Sequence, residues 1–364
     1  MHLIKPYRAI TQHKTLFWMS LLLGLIFTPT LANATTQATP QGDQAWSFST
    51  DLGIDPLNIS GIVVTTDFMA LATDEGYQIQ LFKPLKTKPG QQAWQPTQVI
   101  TLDNSMAAIN TELDIEGLAW QAPYLYAIGS HSLKRAKLKD NKSEKQNLQR
   151  LQTVSREPAR QQLFRIQLDA QYKPIAIESL SLAEVLQKHE ILGLFSDIPS
   201  KENGIDIEGL AIDSKGRLLV GLRGPVLRGN IATVLRLKLS KKAFNIKSIK
   251  TVYLPLAGRG IRGLSSIDRT NDATHDVASD FLVLAGAVGD QDLSYQVYYW
   301  NGENHLLGES LSQTSLRYLC DLPTSQGKPE GIAFLQKMAK NVAFVIVQDG
   351  LKNGQPTVFG CTFN

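Results

Sequence analysis

The chain has 364 residues, a net charge of +4 and 43% apolar side chains, with 8% aromatic residues and only two cysteines. That is enough chain to bury a sizeable core without cross-links. Three of the basic residues, Lys5, Arg8 and Lys14, precede the apolar run 16–27 and the Ala32-Asn33-Ala34 motif. This is the plan of a secretory signal peptide cut after Ala34, and the run is too short for a comfortable membrane span. Once residues 1–34 are removed, 34 Lys+Arg face 33 Asp+Glu, a net +1, which takes away electrostatic support for nucleic-acid or membrane-surface binding. The expectation is a soluble, monomeric, periplasmic or secreted protein, with residues 35–364 forming one domain.

A short phrase then recurs five times: Ser60-Gly61-Ile62-Val63, Glu116-Gly117-Leu118-Ala119, Glu208-Gly209-Leu210-Ala211, Arg262-Gly263-Leu264-Ser265 and Glu330-Gly331-Ile332-Ala333. Self-similarity at such intervals marks a repeat architecture. Each phrase opens a set of strand-like runs. The first set is 59–65, 68–73, 78–82 and 95–102, and the second is 115–120, 124–128, 162–168 and 175–182. The third is 207–212, 217–222, 232–239 and 246–254, and the fourth is 261–267, 281–287, 295–300 and 315–322. Four strands per unit is the pattern of a propeller blade.

The fifth set has only three runs, 331–335, 342–347 and 357–363. An orphan run at 45–50 supplies the missing fourth strand, so the expectation is an all-β, five-bladed propeller closed by an N-terminal strand. The long interval between the second and third phrases leaves six blades as the alternative. Two insertions account for it better. Residues 133–160 carry nine Lys/Arg against three Asp/Glu and read as a mobile solvated loop. Residues 181–203 open with Ser181-Leu182-Ala183-Glu184, a capping-box pattern that predicts a short amphipathic helix. Cys320 and Cys361 fall in strands that need not be adjacent, so free thiols are slightly favoured over a bridge, although an exported chain permits one.

In a propeller the innermost strand, A, lines the central channel, and the D-to-A and B-to-C connections share one face. Entering the A strands are Ser60, Asp114 with Glu116, Asp206 with Glu208, Arg259 with Arg262, and Lys328 with Glu330. Leaving the B strands are Asp74 with Glu75, Ser130 with His131, Arg223 with Arg228, Asp290 with Asp292, and Asp349. These residues converge on one rim, where both insertions become candidate lids. Clustered carboxylates raise one another's pKa unless a cation or an arginine compensates. Asp114, Glu116, Asp206, Glu208 and Glu330 are therefore the candidate ligands of a calcium ion, which takes 6–8 oxygens. Arg223, Arg259 and Arg262 are the candidates for holding a small anionic ligand, and His131 for a general acid. The competing expectation is a closed structural network of Glu and Arg. The sequence contains no G-x-S-x-G elbow, no H-E-x-x-H and no G-x-x-x-x-G-K-[ST] loop.

The segments 114–119, 129–131, 204–211, 221–226, 258–262 and 328–333 resemble a bacterial family of uncharacterised proteins, domain-of-unknown-function family 3616, over nearly the whole exported chain. The phrase Glu208-Gly209-Leu210-Ala211-Ile212-Asp213, with Gly216-Arg217-Leu218, is also similar to the blade phrase of phytase-like propellers. That second resemblance implies calcium on a propeller face and hydrolysis of a phosphate ester. Ser60 and Arg262 stand where the other copies have glutamate, which departs from a full acidic ring. A calcium-dependent phosphate-ester or ester hydrolase is thus one expectation, and a non-catalytic exported binding propeller is the other.

Overall fold

The computed structural model describes residues 36–40, 45–88, 91–102, 112–240, 243–267, 280–306, 315–323 and 326–363. The expected signal segment and cleavage point lie outside them, as does most of the stretch 268–280. Five sheets are arranged as the blades of a propeller, each antiparallel in the order A-B-C-D from the axis outward. Blade 1 is Ile59–Val64, Met69–Thr73, Gln78–Pro84 and Ala93–Thr101. Blade 2 is Ile115–Gln121, Tyr124–Gly129, Leu163–Leu168 and Pro174–Leu180. Blade 3 is Asp206–Ile212, Leu218–Gly224, Ile231–Leu239 and Ile246–Pro255. Blade 4 is Gly260–Ile267, Asp280–Gly286, Gln296–Trp300 and Leu316–Asp321. Blade 5 is Lys328–Lys337, Asn341–Asp349 and Thr357–Thr362, completed by an N-terminal strand.

That closing strand is Thr39–Pro40, paired antiparallel with Gly360 and Phe359. The expected segment, 45–50, goes elsewhere. Its Ser47–Phe48 pairs parallel with Ala93 and Trp94 on the outer edge of blade 1. Aromatic contacts explain the choice: Trp46 packs on Trp94 with ring centroids 5.5 Å apart, and Phe48 on Phe82 at 5.2 Å. The Trp46 amide also donates to the Pro356 carbonyl, 2.8 Å away. The N-terminal chain therefore ties blade 5 to blade 1 twice.

The repeated phrase works as a ring joint. A Cβ on Gly117 would lie 2.8 Å from Leu210 Cβ and 3.0 Å from the Leu210 nitrogen, and one on Gly209 would lie 2.9 Å from Leu264 Cγ. Gly61 approaches Leu118, Gly263 approaches Ile332, and Gly331 approaches Ile62 in the same way. Each phrase thus seats its glycine under the Leu or Ile of the next blade, and the last contact returns to the first blade. Between blades lie five apolar clusters, each drawn from two neighbouring blades. On the outside of blade 2 the edge strand Pro174–Leu180 is exposed.

Three further sequence expectations differ from the fold. Cys320 and Cys361 form a disulfide, with Cα atoms 6.0 Å apart, because the outer strand of blade 4 packs against the third strand of blade 5. The basic insertion is structured. It folds as a hairpin, Leu133–Arg135 with Val154–Arg156, around a helix Glu144–Gln152 that carries a true capping box from Ser143 and Gln146. The second insertion does form a short helix, Ala183–Lys188, but Leu182 rather than Ser181 is its N-cap. Leu182 is fully buried, and this apolar anchor sets the helix start one residue later than the polar pattern predicts. Among the described residues no helix is long and apolar enough to cross a membrane.

Candidate functional site

The pairing register slips at one equivalent place in every A strand. The slips fall between Ile59 and Gly61, Ile115 and Gly117, Ile207 and Gly209, Ile261 and Gly263, and Pro329 and Gly331. Each is a β-bulge, which leaves one residue out of the ladder and re-aims its side chain. The bulged residues are Ser60, Glu116, Glu208, Arg262 and Glu330. This is how one repeated position delivers five polar side chains to the channel.

Ser60 is consumed locally, its hydroxyl donating to the Ile115 carbonyl. The other four meet. One carboxylate oxygen from each of Glu116, Glu208 and Glu330 lies within 4.8 Å of the others. Arg262 bridges two of them, donating from Nη1 to Glu208 Oε1 at 3.0 Å and from Nη2 to Glu330. Arg223 pairs with Glu208 at 2.6 Å and with Asp206. Glu208 Oε2 is buried and has no hydrogen-bond partner. Among the described residues Glu116 has no ion pair at all. Asp114 sits one step outward, held at 2.6 Å by Arg160, which also reaches Glu112 and Glu157.

Charge counting exposes an imbalance. Glu116, Glu208, Glu330 and Asp206 face Arg223 and Arg262, so two negative charges are left over in a buried setting. The carboxyls respond as expected of desolvated like charges. Burial, partly offset by Arg223, pushes Asp206 up to about 7, and burial offset by Arg223 and Arg262 does the same to Glu208. Burial and the neighbouring Glu208, Asp114 and Glu330 hold Glu116 well above the usual range. Burial also raises Glu330. Two protons or one divalent cation would restore neutrality.

Above this floor opens a cavity of about 1260 Å³. Its lining includes residues from every blade: Asp74 and Glu75, Asp114 and Glu116, Asp206 and Glu208, Arg262 and Asp292, and Glu330 and Asp349. The shared-face reading of the D-to-A and B-to-C connections is thus what the structure shows. All five expected metal ligands and Arg223 and Arg262 line it. Both arginines, however, are committed to carboxylates.

Two expected site residues lie apart from it. His131 is buried at a left-handed backbone position, φ 56°. Its Nδ1 donates to the Gly129 carbonyl at 2.8 Å and its Nε2 accepts the Leu182 amide at 3.1 Å. With both nitrogens spent, and burial lowering its pKa to about 4, His131 pins the second insertion to the exit of strand B. Arg259 donates from Nε and Nη2 to the Ser294 carbonyl and hydroxyl, at 2.7 and 3.0 Å. It fastens a loop and does not line the cavity.

Two residues gain weight that the sequence did not give them. Arg160, at the end of the basic insertion, becomes the buried partner of three carboxylates. Asp74 lines the cavity with Oδ1 buried and unpaired, and burial together with Asp114 and Asp349 raises it to about 7. Asp74 was visible as a rim residue. Nothing local distinguishes Arg160 from the eight other basic residues of its insertion.

The blades, the bulged ring and the cavity define the chain as a five-bladed β-propeller with a charged axial site on one face. It belongs to the family described as "Protein of unknown function (DUF3616)", whose model matches residues 58–357. No curated protein matches the chain. Among solved structures it is similar to a thermostable family-43 glycoside hydrolase, at 9% identity over 87% of this chain and 91% of that one, with a TM-score of 0.40. It is also similar to an endo-arabinase from Bacteroides thetaiotaomicron, at 10% identity over 91% and 98% and a TM-score of 0.39. A third likeness is to the N-terminal domain of Nup159, at 12% identity over 87% and 80% and a TM-score of 0.33.

Proposed function

We propose that this chain is an exported propeller that holds calcium at its axis, on Glu116, Glu208 and Glu330, and takes a small anionic ligand in the cavity above. The observation that carries this reading is the buried, unpartnered Oε2 of Glu208 within a group of six charged side chains that is short of two positive charges. The ligand set is all oxygen, which suits a hard cation such as calcium. Asp114 and Asp206 are held by arginines and support the set from outside it. Export is supported by the signal-like N-terminal segment and by the Cys320–Cys361 disulfide, which belongs in an oxidising compartment. Calorimetric titration of calcium should give one site per chain, and inorganic phosphate should bind more tightly with calcium than with EDTA. A protein that takes up no calcium would overturn the proposal.

A second reading, calcium-dependent hydrolysis of a phosphate ester, is favoured by Asp74. Calcium in such a site polarises the ester and lowers the pKa of an attacking water. A carboxyl near pKa 7 in the same cavity can hold a proton at neutral pH and give it to a leaving group. Turnover of 2-glycerophosphate, whose alkoxide leaving group must take up a proton, should then need both calcium and Asp74, with Asp74→Asn leaving calcium binding intact. Binding of phosphate without turnover would leave the non-catalytic reading standing.

A further inference from the structure

The cavity has a second wall of opposite sign. Beyond the acidic floor it is lined by Lys134, Arg135, Lys137, Lys139 and Arg150 of the basic insertion. This wall is fixed in place. The hairpin Leu133–Arg135 with Val154–Arg156 anchors its base. Two ion pairs then clamp it to the second insertion: Arg135 to Glu202, and Arg156 to Asp197 at 2.8 Å. Inside the insertion, the Arg150 side chain braces the Lys137 carbonyl. Arg135 and Arg150 are therefore structural. Lys134, Lys137 and Lys139 are exposed, lie along one short stretch and form no salt bridge among the described residues. Lys134 has only a through-space attraction to Glu112.

A single cavity thus joins an axial floor with excess negative charge to a wall with unspent positive charge. Its volume, about 1260 Å³, exceeds the roughly 300–1,000 Å³ of ordinary small-molecule pockets, which leaves room for a ligand carrying two separated charged groups. We propose that the wall formed by Lys134, Lys137 and Lys139 reads a second anionic group, so that the ligand is a small molecule with two separated anions, one at the axial cation and one at the insertion. This rests on the calcium reading for the axial end. The wall's own selectivity rests only on the placement of the lysines. Lysine ammoniums on flexible stems suit phosphate, sulfate or carboxylate as point charges rather than through forked recognition.

The test compares glucose 1,6-bisphosphate with glucose 1-phosphate by calorimetry, in calcium and in EDTA, on wild type and on the triple variant K134Q/K137Q/K139Q. The three positions are exposed, so the variant should fold, which its unfolding temperature will verify. Wild type in calcium should prefer the bisphosphate by about tenfold or more, equivalent to about 1.4 kcal/mol. The triple variant should lose that preference while keeping its calcium affinity and its affinity for the monophosphate. Equal affinity for the two probes, a preference that survives in the triple variant, or no binding of either probe would overturn the wall. Absence of calcium binding with the bisphosphate preference intact in EDTA would instead overturn the axial reading and leave the wall in place.

Discussion

Arg262 of blade 4 donates to Glu208 Oε1 of blade 3 at 3.0 Å, while the other oxygen of that carboxylate is buried without a partner. The arginine half-neutralises its site and stops there. Its second arm goes to Glu330 of blade 5, so one side chain ties three blades at the axis. Removing one partner of a buried ion network costs about 3–5 kcal/mol because charges are left uncompensated. Arg262→Met should therefore lower stability by that order in EDTA, read from urea unfolding midpoints. Calcium should restore part of the loss, since the carboxylates freed by the substitution can turn to the cation. Equal stability of Arg262→Met and wild type would remove Arg262 from the network.

The ring joint makes its own prediction. Gly117→Ala places a methyl 2.8 Å from Leu210 Cβ and 3.0 Å from the Leu210 backbone nitrogen. Overpacking of this kind costs about 1–3 kcal/mol. The unfolding midpoint should drop accordingly. An unchanged midpoint would mean that blades 2 and 3 do not meet through this contact.

The ring was legible in the sequence because the propeller's inner strand is written five times, and each copy must solve the same packing problem. The glycine and the following Leu or Ile are fixed by contact with the next blade, and the bulge turns the polar residue before them toward the axis. The closing strand was misplaced because Thr39–Pro40 is two residues long and has no apolar periodicity, while the segment 45–50 carries Trp46 and Phe48 and looks more like a strand. Those aromatics are spent on Trp94 and Phe82 of blade 1. The disulfide depends on which strands of blades 4 and 5 abut, which spacing does not encode. His131 carries the residue type of a catalyst, but its two nitrogens are claimed by backbone groups of Gly129 and Leu182, the latter 51 residues away.

The disulfide closes a loop of 41 residues between blades 4 and 5. Constraining the unfolded chain over such a loop contributes about 2–4 kcal/mol. The double variant Cys320→Ser with Cys361→Ser should lose about that much, and reduction of wild type should produce the same shift. If a reductant leaves the unfolding temperature untouched, the bridge is not formed in the protein as it exists.

The raised carboxyls set a pH dependence. Asp74, Asp206 and Glu208 titrate near 7 when folded and near 4 when unfolded. Between those values the folded state holds more protons, so stability falls as pH rises through this window. Buried His131, lowered to about 4, acts in the opposite sense below its unfolded value of about 6.5. The fall should thus be clearest above about pH 6.5, in thermal unfolding with EDTA. Calcium should flatten it by replacing the protons. A stability that rises from pH 6.5 to 8 in EDTA would contradict the assignment.

Whether the axis is a cation site is read most directly at Glu116, which stands among other carboxylates and, among the described residues, has no ion pair to lose. The measurement is the thermal unfolding of wild type and Glu116→Gln, each in EDTA and in calcium. A cation bound only to the folded state at 100 times its dissociation constant adds about 2.7 kcal/mol. Wild type should show a clear calcium-dependent rise. Glu116→Gln should unfold at a higher temperature than wild type in EDTA and rise little or not at all with calcium. No rise in wild type, or a full rise retained in Glu116→Gln, would contradict a cation at the axis.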